Sequence, residues 1–270
     1  MLADLVDIGI NLTHRSFDRD RDEVAARGEA VGVTTLVITG TSVRESQAAR
    51  ELARTRPGRW FSTAGVHPHA AKDCDAGTID TLRALAALPE VVAIGECGLD
   101  FNRNFSPRDE QERWFEAQLE LAVELKMPVF LHERDAAEQM LATLERYRPR
   151  LVGGVVHCFT GTREIVEKYL ALDLHIGVTG WICDERRGAD LVKAAGAIPL
   201  DRLMIETDGP YLMPRKHLPP LPAGHDGRRN EPLFLPAVVT GIAKATGRDA
   251  TEIATETTKT ARQFFGLDAP

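Results

Sequence analysis

Nine polar side chains interrupt or end apolar stretches of this chain, and they are of the types that bind divalent cations or transfer protons. They are Asp7, Asn11, His67, His69, Glu96, His132, His157, Glu206 and Asp208. Imidazole and carboxylate ligands without a thiolate suit Mg²⁺, Mn²⁺ or Zn²⁺, and ligand type alone does not choose among these ions. A single histidine is more often a packing or surface residue than a ligand. The repetition of the pattern therefore favours a metal centre.

Short apolar runs surround these residues, long enough for a strand but too short for a helix. Runs rich in Val, Ile and Leu are typical of parallel strands that are buried on both faces. The predicted strands cover residues 5–10, 35–38, 60–66, 91–94, 129–131, 154–156, 175–178 and 203–205. Amphipathic segments separate them, and the clearest predicted helices cover residues 107–126, 135–147, 162–172, 231–246 and 250–265. Ser106 is the expected N-cap of the first of these helices.

Eight strand–helix units in 270 residues predict an α/β fold of the TIM (β/α)8 barrel type, as one domain over residues 1–270. An open doubly wound sheet would need a glycine-rich phosphate turn after the first strand, and Gly9-Ile10-Asn11-Leu12 is not such a turn. In a barrel, the carboxyl ends of all strands open on one face. The nine polar side chains are therefore expected to converge there.

Gly95 and Gly98 are expected to end the fourth strand on either side of Glu96. A carboxylate at the end of a buried strand needs a metal or a base as its partner. Taken alone, this stretch fits a carboxylate that caps the next helix equally well.

Composition and charge narrow the class of protein. With 43% hydrophobic and 27% charged residues the chain is of globular type, and its net charge of −7 argues against non-specific duplex binding. The four cysteines form no CxxC pair and are expected to be reduced packing residues. No apolar run approaches a membrane span and no signal-type start is seen, so we expect a soluble cytoplasmic protein.

Nucleic-acid binding by an acidic protein requires a local basic region. The loop of residues 209–230 carries Arg215, Lys216, Arg228 and Arg229 against Asp226 alone. Aromatic residues that could stack on bases also lie near predicted strand ends, namely Phe101, Phe105, Trp181 and Tyr211. Any one of these arginines is explained as well by a solvated rim, and most of the aromatic residues by packing.

Five motifs, in order and with compatible spacing, resemble the TatD family of metal-dependent hydrolases. They are Gly65-Val66-His67-Pro68-His69, Gly95-Glu96-Cys97-Gly98-Leu99-Asp100, His157-Cys158-Phe159-Thr160-Gly161, Glu206-Thr207-Asp208 and Asn230-Glu231-Pro232. The resemblance implies a Mg²⁺-dependent TIM-barrel DNase that removes nucleotides from the 3′ end of single-stranded DNA and has a role in DNA repair or turnover. RNA stays open as a further substrate. A monomer that acts on nucleic acid and not at a membrane is expected.

By position, the resemblance assigns Glu96, His132, His157 and Asp208 to the metal. Asp208 is expected to orient or deprotonate the attacking water, with Glu206 as a second catalytic residue or a support of the ligands. The residues expected to bind substrate are His67, His69, Asn11 and Arg229, and either histidine could contact the phosphate or protonate the leaving oxygen.

One departure from the wider superfamily concerns the first strand, where most members carry His-x-His. Here the positions read Gly9-Ile10-Asn11, which leaves only Asp7, the Asn11 amide and shared carboxylates for a second cation. We therefore expect one ordered metal at most without substrate. Two other functions stay open at this point: a different hydrolase on the same site, such as a D-aminoacyl-tRNA deacylase or another ester or amide hydrolase, and a non-catalytic nucleic-acid-binding scaffold.

Overall fold

The computed structural model describes residues 4–268, and it confirms the predicted barrel. Within these residues eight parallel strands form one sheet in sequence order. The strands are β1 (Leu5–Ile10), β2 (Val33–Ile38), β3 (Trp60–Ala64), β4 (Val91–Asp100), β5 (Val129–Arg134), β6 (Gly154–Val156), β7 (His175–Val178) and β8 (Leu203–Ile205). No helix in residues 4–268 combines the length and the apolar character needed to cross a bilayer.

Helices follow the strands and cover the outside of the sheet. They are α1 (Arg21–Ala30), α2 (Val43–Ala53), α3 (Thr78–Ala86), α4 (Arg108–Leu125), α5 (Ala137–Tyr147), α6 (Arg163–Ala171), α7 (Ala189–Ala195), α8 (Leu235–Thr246) and α9 (Ala250–Phe265). The prediction that Ser106 caps α4 is wrong, since Pro107 holds the N-cap position. The Ser106 hydroxyl instead donates to the His69 carbonyl oxygen at 3.0 Å and accepts from the Lys72 N–H at 3.1 Å. It ties the loop after β3 to the start of α4.

Two apolar clusters hold the barrel together. Strand residues alternate between them, as in β1, where Val6 and Ile8 face inward and Leu5 faces the helices. The inner cluster contains Val6, Ile8, Val37, Ala93, Phe130, Val155 and Met204 and is closed at its lower end by Phe265 and Leu267 of the C-terminal segment. The upper end, at the carboxyl ends of the strands, is left to polar residues.

Strand β4 is the largest departure from the sequence-based prediction, because it continues six residues past the predicted end at residue 94 to Asp100. The two glycines do not stop the strand. A Cβ at Gly95 would collide with the Phe130 carbonyl oxygen, and a Cβ at Gly98 with the main chain of His132. Glycine is needed at both positions because the β5 main chain occupies the space of a Cβ and because φ is +139° at Gly95 and +144° at Gly98.

The barrel closes between β1 and the residues just after β8. The Asp208 N–H donates to the Gly9 carbonyl oxygen at 2.8 Å, and the Asn11 N–H donates to the Gly209 carbonyl oxygen at 2.7 Å. These two bonds continue the ladder beyond the last residue of β8. They fix the backbone of Asp208 beside the first strand.

We predict that His175, at the lower end of β7, makes the fold acid-sensitive. Burial, with a smaller effect of Arg202, lowers the pKa of His175 to about 4 from 6.5, and its ring packs on Phe264 with centroids 4.7 Å apart. Above pH 6.5 the imidazole is neutral in both states. As the pH falls from 6.5 towards 4, only the unfolded chain takes up the proton, so stability present at neutral pH is lost.

The variant His175→Gln should therefore gain about 2 kcal/mol of stability relative to the parent between neutral pH and pH 4. Urea unfolding of both proteins without metal at several pH values measures the difference. Parallel pH curves would contradict the assignment to His175.

Candidate metal centre at the carboxyl ends of the strands

Glu96 lies at the centre of the site because a β-bulge turns it into the barrel. The pairing of β4 with β5 shifts between Gly95 and Cys97, which leaves Glu96 as the extra residue. The Glu96 N–H donates across to the Gly40 carbonyl oxygen at 2.8 Å. Bulges of this kind re-aim side chains near functional sites. Cys97 then packs outward in the core, and the Glu96 carboxylate faces the open end of the barrel.

Three imidazoles converge on one oxygen of this buried carboxylate. Glu96 Oε1 is 2.9 Å from His132 Nδ1, 2.9 Å from His157 Nε2 and 3.4 Å from His67 Nε2. Burial alone would raise the pKa of Glu96, but the surrounding imidazoles, His157 foremost, hold it well below its usual range. Each short N···O pair joins two good ligand atoms that need a shared proton or a shared cation between them. The donor set therefore fits a divalent metal.

Glu206 orients His157 from behind. The Nδ1 of His157 lies 3.2 Å from Glu206 Oε2, and the Cys158 N–H donates to the other carboxylate oxygen. With its proton on Nδ1, the ring presents Nε2 to Glu96, as in carboxylate–histidine–metal arrangements. Opposed by burial, the two neighbouring carboxylates raise the pKa of His157 well above its ordinary value. Of the two roles expected for Glu206, this geometry matches support of a ligand.

Two glycines make room for the Glu206 carboxylate. A Cβ at Gly9 would collide with Glu206 Oε2, and a Cβ at Gly177 would lie 2.7 Å from Glu206 Oε1. The Glu206 carboxylate, which directly follows β8, thus fills the space that a larger side chain at Gly9 of β1 would occupy. This explains in packing terms why the first strand carries glycine here.

Asp100 belongs to the site, although the sequence was not interpreted that way. It is fully buried at the end of β4, on the same face as Gly98 and Glu96. His69 Nε2 lies 2.7 Å from Asp100 Oδ2, and the Arg103 N–H donates to Oδ1 at 2.8 Å. Burial would raise the pKa of Asp100, but the neighbouring imidazoles of His132 and His69 hold it far below its usual value. Extending β4 past the glycines would have revealed it.

A buried nitrogen of His132 supports a metal at this place. His132 Nε2 has no hydrogen-bond partner within the described residues, and Asp100 Oδ2 is 3.5 Å away. A buried polar atom without a partner costs about 1–3 kcal/mol unless a ligand completes it.

His67 differs from the other two histidines in the position of its proton. Donor atoms of His67, Glu96 and His132 lie within 4.8 Å of one another, a spacing that could hold a metal. The Nδ1 of His67, however, accepts the His69 N–H at 3.0 Å, so the neutral ring carries its proton on Nε2. Burial and the charge of His132 lower the pKa of His67 well below its ordinary value. His67 therefore presents an N–H donor to the site, as a residue that contacts an anionic substrate requires.

Asp208 stands beside this group with a raised proton affinity. Asn11 Nδ2 donates to Asp208 Oδ1 at 2.9 Å. Burial, reinforced by Glu96 and Glu206 and opposed by His157, raises the pKa of Asp208 to about 7. A carboxylate with this pKa can accept a proton near neutral pH. Asn11 was expected to bind substrate, but its amide N–H is used here to hold the Asp208 carboxylate, which makes it a positioning residue.

Arg229 is engaged in contacts that the sequence did not indicate. Arg229, predicted to bind substrate, is held by Asp20 at 2.6 and 2.8 Å, by Glu231 at 3.2 Å and by the Ser16 carbonyl oxygen at 2.7 Å. Both terminal nitrogens of its guanidinium are thus engaged in fixing the loop after β8. The sequence could not show these partners, since Ser16 and Asp20 lie more than 200 positions away.

Asp7, considered for a second cation, is used inside the barrel. Its Oδ1 accepts the N–H groups of Thr207 at 2.9 Å and Gly9 at 3.3 Å, and Oδ2 accepts the Thr207 hydroxyl at 2.5 Å. Complete burial raises its pKa to about 7 despite these bonds. Asp7 therefore stabilises the closure between β1 and β8.

Comparison with known proteins gives one consistent family. A family model described as TatD related DNase matches residues 6–266. A relative from Erwinia billingiae, named 3′-5′ ssDNA/RNA exonuclease TatD, is 53% identical over 265 residues, which is 98% of this chain and 100% of the relative.

Solved structures with a similar fold come from the same family. A hydrolase TatD family protein from Entamoeba histolytica has a TM-score of 0.88 at 26% identity and covers 98% of this chain and 99% of its own. The TatD homologue YJJV from Escherichia coli has a TM-score of 0.88 at 25% identity and covers both chains fully.

We predict that Gly9→Ala destabilises the barrel by about 1–3 kcal/mol, because the added methyl group collides with a buried carboxylate. Phe130 Cζ, 3.1 Å from that methyl position, closes the other side. Urea unfolding without metal gives the change. The matched control is Gly196→Ala, where no atom lies within 4 Å of the added Cβ. Equal stability of the two variants would show that Glu206 can move away freely.

Proposed function

The chain belongs to the TatD family of related DNases, and we propose that it is a metal-dependent nuclease that removes nucleotides from the 3′ end of single-stranded DNA or RNA. The observation that carries this proposal is the buried group of Glu96, His132 and His157 with Asp208 beside it. The printed activity of relatives that match almost the whole chain supports the substrate. A monomeric, single-domain, cytoplasmic protein acting in DNA repair or turnover remains part of the proposal.

Glu96, His132 and His157 are the residues that would hold one divalent cation, with Asp208 as a fourth ligand or acting through water. When bound, the cation supplies a Lewis acid that polarises the scissile phosphoryl group and acidifies the attacking water. Mg²⁺ is the proposed ion because the family resemblance implies it. Mn²⁺ and Zn²⁺ are the alternatives, since a mixed set of imidazole and carboxylate ligands does not choose among the three.

Different side chains of the site accept, donate and position protons during the reaction. Asp208, held by Asn11, accepts a proton from the attacking water as the new P–O bond forms. His67 donates from Nε2 to a phosphate oxygen. His69, braced by Asp100 at 2.7 Å and 31% exposed, protonates the 3′ oxygen as the P–O bond to it breaks. Glu206 keeps His157 in orientation.

We predict that degradation requires a free 3′ end and a divalent cation. Linear single-stranded DNA labelled at its 5′ end should shorten stepwise with Mg²⁺, whereas circular single-stranded DNA and EDTA-treated reactions should show no product. Gel electrophoresis follows the lengths. Cleavage of the circle at a comparable rate would identify an endonuclease. Release of an aminoacyl group from charged tRNA, without nuclease products, would favour the deacylase alternative.

We predict a single tight metal site in the absence of substrate. Calorimetric titration of the metal-free protein with Mn²⁺ should show one stoichiometric event, because Asp7 and the Asn11 amide are occupied by Thr207 and Asp208. His157→Ala should abolish tight binding and hydrolysis while the protein stays folded. The matched control is His175→Gln, at the amino end of β7 and so on the opposite side of the barrel from the site; it should bind as the parent does. Two tight events would reveal ligands that the structure has not identified.

A further inference from the structure

A groove lies beside the metal centre on the same face of the barrel. Its volume is about 610 Å³, within the range of about 300–1,000 Å³ typical of small-molecule sites. The loops after β7 and β8 form its walls, with Trp181, Asp184 and Arg187 from the first and Leu212, Arg215 and Arg228 from the second. We call it the basic groove.

Two connections place the basic groove next to the candidate catalytic residues. Trp181 follows Thr179, whose hydroxyl lies 3.9 Å from the Sγ of Cys158, the neighbour of His157. On the other wall, the Tyr211 N–H donates to the Asp208 carbonyl oxygen at 3.0 Å, and Leu212 lines the groove directly after this turn. Both loops that line the groove therefore begin next to residues of the site.

The charge of the basic groove is opposite to that of the whole protein. Three arginines face one aspartate, and Asp184 is already paired with Arg215 at 2.8 Å. Arg187 and Arg228 make no ion pair with any carboxylate in residues 4–268, and both are exposed. Two guanidinium groups in an otherwise acidic protein favour an anionic occupant.

The basic groove also contains planar groups that can stack on bases. The Arg187 guanidinium lies over the Trp181 ring, 5.4 Å from its centroid. Indole and guanidinium planes both stack on unpaired bases, and guanidinium groups pair with phosphates. Leu212, Met213 and Pro214 add apolar contact area. This combination of stacking, apolar and cationic groups is that of a single-stranded nucleic-acid site.

We propose that the basic groove binds the nucleotides on the 5′ side of the one being removed. The inference rests on the proposed exonuclease function, because an enzyme that acts at a 3′ end must leave the rest of the strand on the 5′ side of the scissile bond. Trp181 stacks on a base, and Arg187 and Arg228 bind backbone phosphates. The groove therefore confers a preference for long single strands over very short ones.

The test compares kcat/KM for a long oligothymidylate with kcat/KM for a thymidine dinucleotide. The ratio of the two should fall about tenfold in Trp181→Leu, since loss of one base stack is worth a factor of about 5 to 150. In Arg187→Gln and Arg228→Gln it should also fall, and the slope of log KM for the long strand against log salt should become shallower by about 0.7 for each lost phosphate contact. Trp181→Leu should leave that slope unchanged.

The matched control is Arg56→Gln. Arg56 also lies over a tryptophan, 5.3 Å from the Trp60 ring centroid, but at the start of β3 on the opposite end of the barrel. This variant should keep the parental length ratio and salt slope. Thermal unfolding of all variants verifies the fold.

Binding of a fluorescent, phosphorothioate-linked oligothymidylate in Mg²⁺ is measured by anisotropy. It distinguishes failure of the groove assignment from failure of the proposed nuclease activity. Weaker binding by the groove variants without hydrolysis of any substrate would support the groove and overturn the proposed activity. Hydrolysis with unchanged length ratio, slope and binding would overturn the groove assignment alone. Equal binding of the strand by parent and groove variants would also overturn the assignment of the groove to nucleic acid and would favour a protein partner for this surface.

Discussion

The burial of the Glu96 carboxylate is the constraint on which the site depends. A charge removed from water is costly unless opposite charges or hydrogen-bond donors surround it. Here the bulge in β4 supplies the position, and β5 and β6 supply His132 and His157, each 2.9 Å from the same oxygen. The Glu96 oxygen and the imidazoles from separate strands stabilise one another, so none of them would be stable at this depth alone. The same arrangement directs their ligand atoms to one point.

Packing around Glu206 shows how the barrel accommodates a second buried carboxylate. Gly9 from β1 and Gly177 from β7 leave the space that the Glu206 carboxylate fills. The main-chain N–H of Cys158 and the ring of His157 each make a hydrogen bond to one of the two carboxylate oxygens. The glycines, which look like flexible points in the sequence, are close-packing positions. Orientation of a histidine ligand thus depends on residues that never touch the substrate.

The sequence by itself determined the fold and the set of residues at the strand ends. Burial on both faces makes each parallel strand a short apolar run, and this signal is local, so the bounds of β1, β6, β7 and β8 were predicted without error. Barrel geometry then brings polar residues at equivalent strand ends to one face. That argument identified Glu96, His132, His157 and Asp208 as neighbours before any distance was known.

Only the tertiary structure decided what each of these polar groups faces. Gly95 and Gly98 resemble strand stops in the sequence, and the closeness of β5 is what makes them part of β4 and brings Asp100 into the site. Arg229 resembles a substrate contact until Asp20, some 200 positions earlier, is seen to bind it. Composition and periodicity report how deeply a residue is buried. Which carboxylate meets which cation depends on contacts between distant segments, and no local pattern encodes those.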